Sequence, residues 1–331
     1  MISRLAATLI VALAPALGAA QPSAELLAAA RKDGSVNVYT SNAAPTIQAL
    51  VADFEKRYGV RVNLWRASSI KVLQRLAVEK KAGRWDFDAV RVSGLEIEAL
   101  YREGLLQEIR SPLHDGMLEG TLPAHRGWAP QFINVFVQAY NTNVVAKQEL
   151  PRRWSDLLEP KWKGKLGAEA ASAEWYCTLL KHLGEKRAGE LFHGIVARNG
   201  LAVHPGNSVL ANMVVSGELP FAISAYSHIV DEAKGRGAPI DSMTLERAVG
   251  RANGIGVSRR PPHPSAARLF YDYNLSEAQP LMVKLHYLSP LKKLSPPERS
   301  ANMVFVDWAM EGREVERCES AYQALFKKGT P

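Results

Sequence analysis

The chain of 331 residues is 47% hydrophobic and 22% charged, with a formal net charge of +8 and two cysteines. That length has room for two domains of ordinary size, and that apolar fraction excludes a disordered chain. The basic excess suits an anionic solute or an anionic membrane surface, whereas the export signal described next argues against nucleic acid as a partner.

The sequence opens with MISR, runs through the apolar stretch LAATLIVALAPALG and reaches the small residues Gly18, Ala19 and Ala20. This is the pattern of a secretory signal peptide cleaved after Ala20. Its apolar core is interrupted by proline and is shorter than the roughly 20 residues a membrane span needs. No cysteine follows the cleavage point, so nothing there points to a lipid anchor. The chain is therefore expected to be exported from the cytoplasm into an oxidising compartment. In that oxidising compartment a Cys177–Cys318 disulfide and two buried, unpaired thiols both remain open.

AELLAAARKDG has helical spacing and stops at Gly34; SVNVYTSN then alternates like a strand. TIQALVADFEKRYG is a second helix ending at Gly59, VRVNLWRASS a second strand, KVLQRLAVEKKAG a third helix, FDAVRVS a third strand and LEIEALYREGLL a further helix. Strands alternating with helices predict an α/β domain with parallel pairing, right-handed crossovers and a sheet covered on both faces. FINVFVQAYNTNVV is a long β-like run, after which LPRRWSDLLEPKWKGKLG predicts an irregular, well-packed entry into a second lobe. Helices recur in AEWYCTLLKHLGEKRAGELFHGIVAR and SVLANMVVSGE, followed by the strand LPFAISA, the strand RANGIGVS and the helix HPSAARLFYDYNLS. There is no internal repeat or low-complexity tract.

Ligands of open α/β sheets lie beyond the carboxyl ends of the strands. That rule nominates Thr40, Ser41 and Asn42 after the first strand, Ser68 and Ser69 after the second, and Ser93 after the third. Each is equally suited to be a plain helix cap. In the second half, Ala171 and Ser172 open one helix and Asn207 and Ser208 another. Unpaired N–H groups at two converging helix starts predict an anion site. Tyr226 stands where LPFAISA gives way to a helix, as a phenolic donor, a stacking face or a packed ring.

The order of KDG, VYTS, FEKRYGVRV, EKKAGRWDFDAV, AYNTNVV, PRRWSDLLEPKWKGKL, SGELPFAI, KGRGAPI and PHPSAARLFYDYNLSEAQ resembles that of bacterial periplasmic solute-binding proteins of ABC importers. The similar branch includes ferric-iron, aminoalkylphosphonate, thiamine and polyamine binders. The resemblance covers the mature chain and implies the type II fold, two α/β lobes joined by two crossing strands, with ligand in the cleft between them. It places one lobe at 21–131 plus 256–306 and the other at 132–255 plus 307–331, with the C-terminal helices strapped to a lobe. It also implies hinge closure on ligand and an inner-membrane permease as partner. In the ferric-iron branch two adjacent tyrosines, a histidine and a glutamate hold the metal; here Ala225-Tyr226, Ala43 and Ser93 stand near those positions. The positions that hold that branch's accompanying anion, at Ala171, Ser172 and Asn207, look retained. The reading is therefore a small anionic organic solute, a phosphonate, phosphate ester or carboxylate, bound by a monomer without metal or cofactor. Ferric iron is the alternative, and presentation of solute to a receptor kinase is another.

An enzyme is the rival class. SSIK places Ser68 and Lys71 as in penicillin-recognising enzymes, but the partner motifs are missing, as are a nucleophile elbow, a zinc-protease helix and a Walker loop. Arg66 is a candidate anion clamp or a solvated strand residue, Trp175 a stacking or core residue, and Asp88 a backbone acceptor at a strand start.

Overall fold

The computed structural model describes residues 22–300, 302–310 and 312–327. The signal peptide expected at residues 1–20 lies outside them. In chain order the first half comprises α1 (Ala24–Asp33), β1 (Ser35–Thr40), α2 (Ala44–Tyr58), β2 (Arg61–Arg66), α3 (Ser69–Lys81), β3 (Ala89–Ser93), α4 (Gly94–Arg102) and the long β4 (Ala129–Asn141). Then follow β5 (Leu166–Glu169), α5 (Ala173–Leu183), α6 (Glu185–Asn199), β6 (Ala202–His204), α7 (Asn207–Ser216), β7 (Phe221–Tyr226), α8 (Ser227–Gly235), β8 (Ile240–Met243) and the long β9 (Ala248–Val257). The chain closes with α9 (Pro264–Leu275), α10 (Gln279–Lys284), α11 (Pro297–Ser300), β10 (Met303–Phe305) and α12 (Arg313–Lys327). Gly34 and Gly59 end α1 and α2 in the left-handed conformation, at φ of 75° and 70°.

The strands form one continuous sheet in the order β2-β1-β3-β9-β4-β7-β5-β6, with β10 beside β9 and β8 beside β4. β1 pairs parallel with β2 and β3, and β5 pairs parallel with β6 and β7, as alternating strands and helices require. Between these two parallel blocks run β4 and β9, antiparallel to each other; β9 borders β3 and β4 borders β7. These are the two crossing strands. β9 tolerates its crowded position through glycine: a Cβ on Gly254 would sit 2.7 Å from both Ile97 and Trp128.

Each parallel block is covered on both faces. On one side of β2-β1-β3, Val36 and Val38 pack with Leu50, Phe54 and Phe270 of α2 and α9; on the other, Val90 and Val92 pack with Val72, Leu76 and Ile97 of α3 and α4. Around β7 and β5, Trp175 and Phe192 of α5 and α6 fill one face with Tyr322 of α12, and Leu210, Val214 and Val230 of α7 and α8 fill the other. The irregular stretch after β4 consists of short 3-10 turns, and it buries Trp154 and Trp162 against the second block. Cys177 of α5 and Cys318 of α12 are joined in a disulfide, which resolves the choice left open by the sequence. Among the described residues no helix is long and apolar enough to cross a membrane.

Candidate functional site

Six helices, α2, α3, α4, α5, α7 and α8, begin at or just after the carboxyl end of a strand, and in none does the residue before the helix cap it with its side chain. Ser23, at α1 away from this row, does cap, accepting from Leu26 N at 3.1 Å. The strand-end serines are therefore occupied otherwise. Ser69 Oγ donates to Ser41 Oγ at 2.8 Å and accepts from Ser93 N at 3.3 Å, which ties together the ends of β1, β2 and β3. Ser93 Oγ bonds the Glu96 carboxylate, and Thr40 Oγ1 accepts from Asn42 N at 3.1 Å. Asn42 is buried with its Oδ1 unpartnered, whereas Ser68 and Ser208 are exposed. The structure thus gathers Thr40, Ser41, Asn42, Ser69 and Ser93, and leaves Ser68 and Ser208 at the rim.

At the starts of α5 and α7, where the sequence leads one to expect an anion, stands the chain's own Glu169. Its carboxylate accepts from Ala171 N at 2.8 Å, Ser172 Oγ at 3.0 Å and Gly206 N at 3.0 Å. Ser224 Oγ accepts from Glu169 N at 3.0 Å, and Tyr322 OH donates to Glu169 O at 2.7 Å, so the residue is held at both ends. The partial positive charge of two helix starts is answered from within. Asn207 keeps a buried, unpartnered Oδ1 beside this cluster, and so does His204 Nε2.

Tyr226 faces a cation. Arg251, from the middle of β9, lies 5.3 Å from the Tyr226 ring centroid and is ion-paired through Nη1 with Glu174 in the first turn of α5. The ring also packs on Phe136 at 4.7 Å and on His228 at 5.6 Å, and His228 stacks on Tyr287 at 4.2 Å. Burial drives the Tyr226 phenol well above its ordinary range, against the pull of Arg251, so the hydroxyl stays protonated. Burial, then Arg251, holds the His228 imidazole down at about 3 and therefore neutral. Burial opposes the Arg251 charge, but Glu174, Tyr226 and Glu96 outweigh it and raise its pKa. Burial raises the Glu96 carboxyl as well, with Ser93 working the other way and Glu174 adding repulsion. Arg251 Nε, Asn134 Oδ1 and Asn253 Nδ2 are buried polar atoms without a protein partner, and they line the same stretch of the crossing strands. Such atoms are costly unless something else bonds them.

Sequence reasoning missed Arg251, Glu174, Glu96, His228, Asn134 and Asn253. The available signal was polarity inside apolar strands, in FINVFVQ and RANGIGVS. Of the other candidates, Arg66 is exposed, Trp175 is core between Phe136 and Trp154, and Asp88 accepts from Asn37 N at 2.7 Å and His263 N at 2.6 Å. Among the described residues no group of three or more His, Cys, Asp or Glu is placed to hold a metal ion.

Residues 97–310 match the family profile described as bacterial extracellular solute-binding protein. Iron uptake protein A1 of Synechocystis sp. is 23% identical over 299 residues, covering 84% of this chain and 82% of that protein. The iron-bound HitA structure from Pseudomonas aeruginosa superposes with a TM-score of 0.71 at 17% identity, covering 88% of this chain and 99% of that one. AfuA from Actinobacillus pleuropneumoniae with fructose-6-phosphate bound superposes with a TM-score of 0.66 at 21% identity, covering 89% and 97%. The fold is thus the two-lobed type II arrangement with its ligand cleft between the lobes, and the chain belongs to the bacterial extracellular solute-binding protein family, the periplasmic components of ABC importers.

Proposed function

We propose that this protein captures a small organic solute bearing an anionic group, a phosphonate, phosphate ester or carboxylate, and that Arg251 receives that group at the hinge between the lobes. The observation that carries the reading is the state of the guanidinium. Nη1 is committed to Glu174, while Nε, on the opposite edge of the fork, is buried without a partner. That edge suits a bidentate bond to two oxygens of a carboxylate or phosphonate. Asn253, with its Nδ2 unpartnered, and Asn134, which bonds Tyr226, flank it, and the Tyr226 ring backs it. The helix starts at Ala171 and Ser172, engaged by Glu169, support the site rather than form it.

The lobes proposed from the sequence, 21–131 plus 256–306 and 132–255 plus 307–331, change over within the crossing strands β4 and β9. Val304 and Val306 pack with Trp154 and Trp175, which favours an earlier return to the second lobe, near residue 302. Closure of these lobes over the solute presents the complex to the permease.

A thermal-shift screen of phosphonates, sugar phosphates and carboxylates identifies the ligand, because binding only to the native state raises the melting temperature. Arg251→Gln should then abolish the shift of the best ligand while the protein still melts cooperatively. A full shift in that variant overturns the reading.

Ferric iron is the second reading, favoured by the oxygen donors Tyr226, Glu96 and Glu174 in the surroundings of Arg251 and by the names of the relatives. Arg251 among them and Ala225 in place of a second phenol weigh against it. Titration with ferric citrate decides: a visible tyrosinate-to-iron absorbance band reverses the order of the two.

A further inference from the structure

A cavity of about 940 Å³ is remote from the strand ends. It is built from the C-terminal half of α2, the turn at residues 112–116, the end of α9, α10 and residues 291–294. Asp53 and Arg57 on its wall lie about 15 Å along α2 from the cleft end of that helix, at 1.5 Å per residue. Leu113, Leu281, Leu291 and Leu294 line it, and the first, second and fourth remain partly exposed. Lys284, Lys292 and Lys293 stand exposed at its edge, and none of the three is ion-paired with a carboxylate among the described residues. Of the two carboxylates lining it, Asp53 is already held by Arg57 at 2.6 Å and by Tyr273 OH at 2.8 Å, and Glu277 accepts from the hydroxyls of Ser276 and Tyr58.

We propose that this groove is a second binding site, for an amphiphilic anion: an alkyl chain lying along the leucines and ending in a carboxylate among Lys284, Lys292 and Lys293. The volume is in the range of sites that enclose small organic ligands, roughly 300–1,000 Å³. Three ammonium groups without an ion-pair partner outnumber the Glu277 carboxylate and select the sign of the head group, because a cationic head would add a fourth like charge within a Debye length of about 10 Å. The site is independent of what the cleft holds, since none of its residues belongs to the strand-end cluster or to the crossing strands.

Calorimetric titration of the protein with dodecanoate, kept below its micellar concentration, tests this directly. The expected result is saturable binding of one molecule per chain, at least tenfold tighter than for dodecyltrimethylammonium. Lys292→Glu with Lys293→Glu should weaken it at least tenfold while leaving the thermal shift by the cleft ligand unchanged, and Leu281→Gln should weaken it similarly. Absence of saturation, several molecules per chain, equal affinity for the cationic amphiphile, or unchanged binding in both variants overturns the proposal. Adsorption only to anionic phosphatidylglycerol vesicles, without uptake of free dodecanoate, would assign the lysines to a membrane surface and overturn it as well.

Discussion

Three donors converge on one carboxylate at Glu169: the amides of Ala171 and Gly206 and the hydroxyl of Ser172. Hydrogen bonds to a charged group are worth about 1.5–3 kcal/mol each and are not additive, so Glu169→Ala should destabilise the protein by about 2–4 kcal/mol. The same variant should open the anion site that the helix starts predict. Inorganic phosphate should therefore raise its melting temperature by more than that of the unaltered protein, and equal shifts would remove the internal-anion account. Asn207→Ala, which deletes a buried and unpartnered Oδ1, should weaken ligand by about 1–3 kcal/mol in calorimetry. Tyr226→Phe should cost less than Arg251→Gln, because the ring supplies packing and a face for the cation and its hydroxyl is secondary. At this scale the sequence made Thr40, Ser41, Asn42 and Ser93 legible, since strand ends are read from local pattern. It concealed Arg251 and Glu174, which are 77 residues apart and meet only when β9 crosses beneath α5.

At the scale of elements, hydrophobic period and glycine stops were sufficient for α1, α2 and α3 and for the parallel strands between them. The short strands β6, β8 and β10 carry three or four residues each, too few for alternation to register, and they exist because neighbours already offer an edge. β9 is the element under most constraint, with Gly250, Gly254 and Gly256 each meeting a side chain within 3 Å of a hypothetical Cβ. Gly254→Ala should cost about 1–3 kcal/mol in chemical denaturation, as overpacking does, since Ile97 and the Trp128 ring must both give way. A cost below 0.5 kcal/mol, roughly the range of surface substitutions, would mean that the crossing strands are slack there.

For the whole molecule, acid should loosen the fold through a buried imidazole, His114, and a half-buried one, His228. Burial, then nearby cationic groups, holds His114 down at about 4 and His228 at about 3, while the unfolded chain titrates at its ordinary value near 6.5. Between those limits the unfolded state binds more protons, so stability falls as pH falls below 6.5. Each histidine contributes a slope of up to about 1.4 kcal/mol per pH unit. Buried Asp88 and partly buried Glu96 and Asp272, all raised, act in the opposite sense. Urea melts at pH 7, 5.5 and 4.5 should show the decline, and His228→Asn should flatten it; an unaltered slope in that variant would contradict the assignment. Reduction of the Cys177–Cys318 bridge, which spans 141 residues, should cost about 4–5 kcal/mol in the chain-entropy picture and lower the melting temperature. The two-lobed plan was legible from the order of segments. The pairing of the cysteines was not, because their proximity depends on α12 returning to α5.

That return has a practical corollary. α12 rides on α5 through the cystine, whereas α1 packs against α9 at the far end of the sheet. Fluorophores attached at Ala24 and at Gln323 would therefore report on separate bodies. Their energy transfer would convert capture of solute into an optical signal, without any dye entering the cleft.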